Sequence, residues 1–288
     1  MLRQSYVTPS SGYDRVWVND GVIQNQGVEL GLNAEILNGP VQWSVGGNFT
    51  LNRNKLVSLG SDNFVWNGSS IEMLRSPLNA FIIGQPINVF YGYRTNGVIQ
   101  NAGEATASGL TGDMAKPGEL RYVDLNGDGK VDENDRTIIG NPNPKFLYSF
   151  NTSVRFKGFD LAAQLYGVYG NDVFDFNKFS PSRQLQRWTA DNPTNDFPSV
   201  NSNRAYYGSD WFVTSGSFLR VQNVTLGYNF KAGLIKGVQT LRVYFSGNNL
   251  YTISGFHKGY DPEVQANGQA GGAYPRPRAM SVGVNIGI

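Results

Sequence analysis

VELGLNAEILNGPVQWSVGGNFTL, residues 28–51, is the stretch whose reading decides the fold. In its first half Val28, Leu30, Leu32, Ala34 and Ile36 alternate with Glu29, Gly31, Asn33 and Glu35. After Asn38-Gly39-Pro40, the residues Trp43, Val45, Gly47, Phe49 and Leu51 alternate with Gln42, Ser44, Gly46, Asn48 and Thr50. A period of two sends successive side chains to opposite faces of a strand. The segment is therefore a hairpin with one apolar face and one polar face.

The same pattern recurs down the chain. Phe146, Tyr148, Phe150, Val154 and Phe156 form one apolar face, and after Lys157-Gly158 so do Phe159, Leu161, Ala163 and Leu165. Leu219 and Val221 start a strand whose parity slips at Gln222-Asn223 before Val224, Leu226, Tyr228 and Phe230, which predicts a β-bulge. Leu241, Val243 and Phe245 follow, then Met280, Val282, Val284, Ile286 and Ile288. Seven strands result, over 27–37, 41–55, 144–156, 158–168, 217–230, 239–252 and 278–288.

Two architectures share this alternation. A soluble, calcium-stabilised β-sandwich that binds carbohydrate turns its apolar face inward, whereas a transmembrane barrel turns it toward lipid. The predicted strands are of bilayer-crossing length, about ten residues or more. Short breaks at 37–41, 157–158 and 231–238 alternate with long ones at 57–143, 169–215 and 254–278. Short turns on one side and long loops on the other are the layout of an outer-membrane barrel. Composition agrees: 35 glycines, 13% aromatic residues and only 16% charged ones, without an apolar run long enough for a membrane helix. The expected fold is all-β, the carboxy-terminal part of a large antiparallel transmembrane barrel with long extracellular loops.

Other classes are excluded on composition. A net charge of +2 gives no field for nucleic acid. Without cysteine there is no disulfide frame and no thiol nucleophile. The single histidine, His257, has no acid or nucleophile at a catalytic spacing. No phosphate loop, nucleophile elbow or HExxH helix is present, so an enzyme is not expected. Met1 to Tyr13 lacks the pattern of a secretory signal, and seven is an odd strand count. Both suggest a piece of a larger barrel, with 1–26 an incoming extracellular segment and 27–288 the barrel segment.

The loop 57–143 contains Asp124-Leu125-Asn126-Gly127-Asp128-Gly129-Lys130-Val131-Asp132-Glu133-Asn134-Asp135. This is the calcium-loop spacing of oxygen ligands: Asp124, Asn126 and Asp128 by side chain, Lys130 by its carbonyl, then Asp132 and Asp135. Gly129 stands where the loop turns sharply. An Asn-Gly/Asp-Gly turn with solvated acids is the plainer alternative. A structural calcium ion is expected here, stiffening an external loop. Among loop aromatics, Trp66, Trp188, Tyr206, Tyr207 and Trp211 offer flat faces for sugars, with Trp188, Tyr206 and Trp211 the candidate substrate contacts; loop packing is the alternative.

Several blocks resemble the SusC/RagA family of TonB-linked outer-membrane transporters. They include Asn25-Gln26-Gly27-Val28-Glu29-Leu30, Gly92-Tyr93-Arg94-Thr95-Asn96-Gly97-Val98 and Pro117-Gly118-Glu119-Leu120-Arg121-Tyr122-Val123. The most specific is Asp135-Arg136-Thr137-Ile138-Ile139-Gly140-Asn141-Pro142-Asn143-Pro144-Lys145-Phe146. Leu219 to Tyr228, Gly247-Asn248-Asn249-Leu250, Gly259-Tyr260-Asp261-Pro262-Glu263 and Tyr274-Pro275-Arg276-Pro277-Arg278 complete the series. The resemblance implies a barrel of about 22 strands with an internal plug. It also implies import of glycans or peptides driven through TonB, and a SusD-like surface lipoprotein as lid. The plug and the TonB-contacting segment are expected to lie outside these 288 residues.

Overall fold

The computed structural model describes residues 2–60, 62–68, 74–179, 184–200, 206–231, 233–256, 260–271 and 276–288. His257, Gly259, Tyr274 and Pro275 lie outside the described residues. All seven expected strands are present: β1 Gly21–Asn38, β2 Val41–Leu59, β3 Phe146–Phe156, β4 Phe159–Tyr169, β5 Phe218–Asn229, β6 Thr240–Ser254 and β7 Ala279–Gly287. They form one antiparallel meander in which each strand pairs with its sequence neighbour. Gly39-Pro40 closes the first hairpin, and Lys157-Gly158, both at positive φ, close the second as a two-residue turn.

Register turns the alternation into rows across the sheet. Leu37, Trp43, Val154, Leu161, Leu226, Phe245 and Val282 stand side by side, one per strand. On the opposite face a parallel row reads Glu35, Ser44, Ser153, Ala162, Thr225, Ser246 and Ser281. The next polar row is Asn33, Gly46, Asn151, Gln164, Asn223, Asn248 and Ala279. These polar side chains bond across strands: Ser44 to Ser153 at 2.8 Å, Asn223 to Asn248 at 2.8 Å and Thr225 to Ser246 at 2.9 Å. Gly46 fits the asparagine row because a Cβ there would stand 2.5 Å from Asn33 Oδ1 and 2.6 Å from Asn151 Oδ1.

Among the described residues, nothing forms a second layer over the apolar face. Val28 is 54% exposed, Trp43 38%, Phe150 45% and Val284 55%. A sandwich would bury these residues against a facing sheet, so the soluble alternative is set aside. A band of this chemistry on strands of bilayer-crossing length fits hydrocarbon on its outer side. The parity slip at Gln222 is a bulge, because the pairing of β5 with both neighbours shifts between Val221 and Asn223.

Strands β1 and β2 run beyond the expected limits of 27 and 55, and they stay paired up to Gly21 and Leu59. Ahead of them Leu2–Tyr6 pairs with Arg15–Asn19. Alternation stops at Gln24 to Gln26 and at Arg53 to Lys55, which are polar on both faces. That is the pattern of a ribbon that has left the membrane and has water on both sides.

The buried core lies in the long loops, which fold together into an external cap. In the first loop, Phe64–Asn67, Asn79–Ile82, Val89–Gly92 and Thr137–Gly140 form a four-stranded sheet, and Thr95–Val98 pairs with Leu120–Tyr122. Asp172–Asp175 pairs with Val213–Ser215 from its own loop and, in parallel, with Gln269–Ala270 from the third. Three apolar clusters bind the loops together. Tyr93, Val98, Ile99 and Leu120 pack with Trp188 and Tyr207. Leu74, Leu78 and Phe90 pack with Phe174, Tyr206 and Phe212, and Val173 packs with Phe256 and Ala270. Asn79 is the polar knot, donating to the carbonyls of Asn88 and Asn267 and accepting from Gln269 Nε2.

An ion cluster pins the third loop to the wall. The guanidinium of Arg220, buried at the upper end of β5, meets Asp261 at 2.6 Å and Glu263 at 2.8 Å. Its Nε donates to Thr252 Oγ1 on β6, and Arg276 adds a second cation at 3.0 Å from Glu263.

Candidate functional site

The loop Asp124–Asp135 is organised by its own carboxylates. Asp124 accepts from the backbone N–H groups of Gly127 and Gly129, Asn126 from Asp128, Asp128 from Lys130, and Asp132 from Asn134. Gly127 and Gly129 both take positive φ, where a side chain would be strained. Asp135 is fully buried and ties the ends together, with Oδ1 accepting from Leu125 and Asn126 and Oδ2 from Asp132. The donor set is all oxygen, which fits a hard divalent cation. Among the described residues, no three acidic side chains already converge on a common point.

Burial opposes ionisation of Asp135, but the N–H groups of Asp132, Leu125 and Asn126 outweigh it and hold the carboxyl below the usual range. A carboxyl depressed on folding adds stability above its unfolded value of about 4, and that stability is lost as pH falls through the folded value. With a chelator present, hydrogen-exchange protection of the Leu125, Asn126 and Asp132 amides is expected to fall away below about pH 4. Asp135→Ala is expected to remove it at neutral pH, costing about 2–3 kcal/mol locally. Protection unchanged in the variant contradicts the bracing role.

Arg136 carries the loop into the cap. Its guanidinium lies over the rings of Trp66 and Tyr93, at 5.6 and 5.5 Å, and pairs with Glu133 at 3.0 Å. One cationic side chain thus joins the Asp124–Asp135 turn to the first apolar cluster.

The aromatic candidates fall mainly inside the cap. Tyr206 is 4% exposed and stacks on Phe179 at 4.7 Å, so it is a core residue and loop packing accounts for it. Trp188 is half-buried, and its Nε1 donates to Gln100 Oε1. Trp211 touches Phe179, Phe197 and Phe212, donates to the Asp196 carbonyl, and has Lys178 Nζ over its ring at 5.1 Å. Tyr206 belongs to one cluster, Trp188 and Tyr207 pack against the other, and Trp211 packs against both. Sequence spacing missed the Arg220 cluster, because its partners lie 41 and 43 residues away.

No protein-family model matches the chain. Among curated proteins, TonB-dependent receptor P3 of Formosa agariphila is 32% identical over 304 residues, covering 96% of this chain and 30% of that protein. TonB-dependent receptor SusC of Bacteroides thetaiotaomicron is 32% identical over 279 residues, covering 91% of this chain and 26% of SusC. Among solved structures, the RagAB peptide transporter superposes with a TM-score of 0.78 over 99% of this chain and 32% of the matched chain, at 21% identity. That match is one of fold. The chain belongs to the SusC/RagA family of TonB-dependent receptors. It spans between a quarter and a third of the length of these relatives. SusC/RagA proteins reside in the outer membrane, which supplies the hydrocarbon that the exposed apolar rows require. The SusC/RagA relatives are receptors and transporters rather than enzymes.

Proposed function

We propose that this chain forms part of the wall and the external cap of an outer-membrane importer of glycans or peptides. Import is energised through TonB, whose contact segment belongs to the rest of the receptor, and a SusD-like lipoprotein closes over the cap. The observation that supports this reading is the pair of opposite rows on the seven-stranded sheet, apolar outside and amide- and hydroxyl-lined inside. Such a wall separates lipid from a polar passage, and the three interlocked loops stand at its external end. The test is deletion of the whole receptor gene in its source organism. The deletion strain is expected to lose uptake of its oligosaccharide or peptide cargo, and a loop-tagged receptor to co-purify with a surface lipoprotein. Unchanged uptake across both cargo classes, with no lipoprotein recovered, removes the proposal.

We also propose that Asp124, Asn126, Asp128, the Lys130 carbonyl, Asp132 and Asp135 hold a structural calcium ion. The spacing of six oxygens and the two positive-φ glycines support it. Calcium at a hundredfold excess over its dissociation constant is expected to stabilise the cap by about 2.7 kcal/mol. In thermal melts of the receptor, Asp124→Ala with Asp128→Ala is expected to abolish the shift between calcium and chelator. A shift that survives the double variant assigns the effect elsewhere.

A further inference from the structure

The ladder between β2 and β3 ends at Thr50 and Leu147, while β2 continues upward along β1. Pro144 has no N–H to extend the β3 side. The wall forks there, and a cavity of about 470 Å³ lies in the fork. Five asparagines line it (Asn52, Asn54, Asn141, Asn143 and Asn171), with Ser215, Asp172, Arg53 and Lys145. Asn52 and Asn54 continue the inner, polar parity of β2, and the stem of Lys145 lies across Gly170. The cavity therefore belongs to the passage side, at its external mouth.

Part of this lining is already satisfied. Asn54 bonds Asn143 and the Ile87 N–H, Asn143 bonds the Ile87 carbonyl, and Asp172 Oδ2 accepts from Asn141 N–H. Those bonds set the shape. The groups left over are specific. Lys145 has no carboxylate partner among the described residues, and the guanidinium of Arg53 is occupied only by the Lys145 carbonyl, at 2.9 Å. The exposed Asn52 amide is also unengaged among the described residues. Two cations against one carboxylate leave the cavity net positive.

We propose that this fork is a cargo subsite for an acidic sugar unit, one bearing a carboxylate or sulfate on a ring with free hydroxyls. The anionic group pairs with Lys145 at the side of Arg53, and ring hydroxyls meet the exposed Asn52 amide. The polar lining groups, five amides, one hydroxyl and three charged groups, can meet several ring hydroxyls at once beside one anionic group. The inference rests on the import reading and narrows its cargo.

The test uses the full receptor in detergent and two probes, a tetragalacturonate and its neutral galactose counterpart, titrated by calorimetry in roughly 50 mM salt. The acidic probe is expected to bind at least about tenfold more tightly than the neutral one. Lys145→Gln is expected to bring the two within about twofold, with the receptor's melting temperature unchanged. Asn52→Ala is expected to weaken both probes alike, because it removes a hydroxyl partner and no charge. Equal binding of the two probes, an acid preference that survives Lys145→Gln, or no binding of either probe overturns the subsite. So does an acidic tetrapeptide whose binding falls with Lys145→Gln while neither sugar binds. A receptor that still imports cargo while failing these titrations loses only the subsite, whereas loss of uptake on deletion tests the import reading separately.

Discussion

Phe150→Arg is expected to destabilise the folded receptor in a bilayer by about 2–4 kcal/mol, whereas Asn151→Arg, one residue along the same strand, stays within about 1 kcal/mol. Phe150 lies midway along the outward-facing positions of β3, between Phe146 and Phe156, and its cross-strand neighbours are Gly47 and Leu165. A guanidinium there meets hydrocarbon, with only Gly47 and Leu165 directly across the two flanking strands. Asn151 faces the other way, in the row with Gln164 and Asn223, where water and amides solvate the same charge. Both variants introduce the same guanidinium on adjacent residues of one strand, so the incoming group is common to the two and the face it enters is what differs. Urea unfolding in vesicles, read by the gel shift between folded and unfolded barrel, measures both. Equal costs at 150 and 151 contradict the assignment of the two faces, and with it the membrane-spanning wall.

The second large effect belongs to Arg220. Arg220→Met leaves Asp261 buried with its nearest cation gone, and breaking a buried pair in this way costs about 3–5 kcal/mol. Arg276 lies at 3.5 Å from Asp261 but is half exposed, so it compensates only in part. The loss is expected to be local. Backbone amides of 260–264 should lose hydrogen-exchange protection, while those of β3 and β4 keep theirs. Adding Asp261→Asn and Glu263→Gln to Arg220→Met is expected to recover part of the protection, because no buried carboxylate is then left without its cation, and the half-exposed Arg276 keeps contact with water. A loop that stays protected in Arg220→Met rules out the pin.

The wall was legible in the sequence because a membrane enforces contrast. Each strand between lipid and a polar interior must alternate cleanly, so Val28 to Leu51 already shows the hairpin and even the Gln222 bulge appears as a slip of parity. The reading stopped where the contrast stops. Above the hydrocarbon, β1 and β2 meet water on both faces, so Gln24 to Gln26 and Arg53 to Lys55 carry no alternation although the ladder continues. The cap was illegible for another reason. Its strands are two to four residues long, and Asp172–Asp175 finds Gln269–Ala270 nearly a hundred positions away, with nothing periodic to announce the pairing. The Asp124–Asp135 spacing was legible as a loop, but the role of Asp135 as its buried brace depends on partners that spacing does not reveal. Tyr206 shows the limit for aromatics, since a loop tyrosine looks the same in sequence whether it faces a sugar or Phe179.

The three loops of the cap share strands and apolar clusters, and Asn79 in the first is held by Asn267 and Gln269 in the third. Recombination between two such receptors that exchanged a single loop would strand half of every shared seam. Viable chimeras are those whose crossover points fall in the membrane strands and carry all three loops as a block, so the sequence changes of the three loops are inherited as a set.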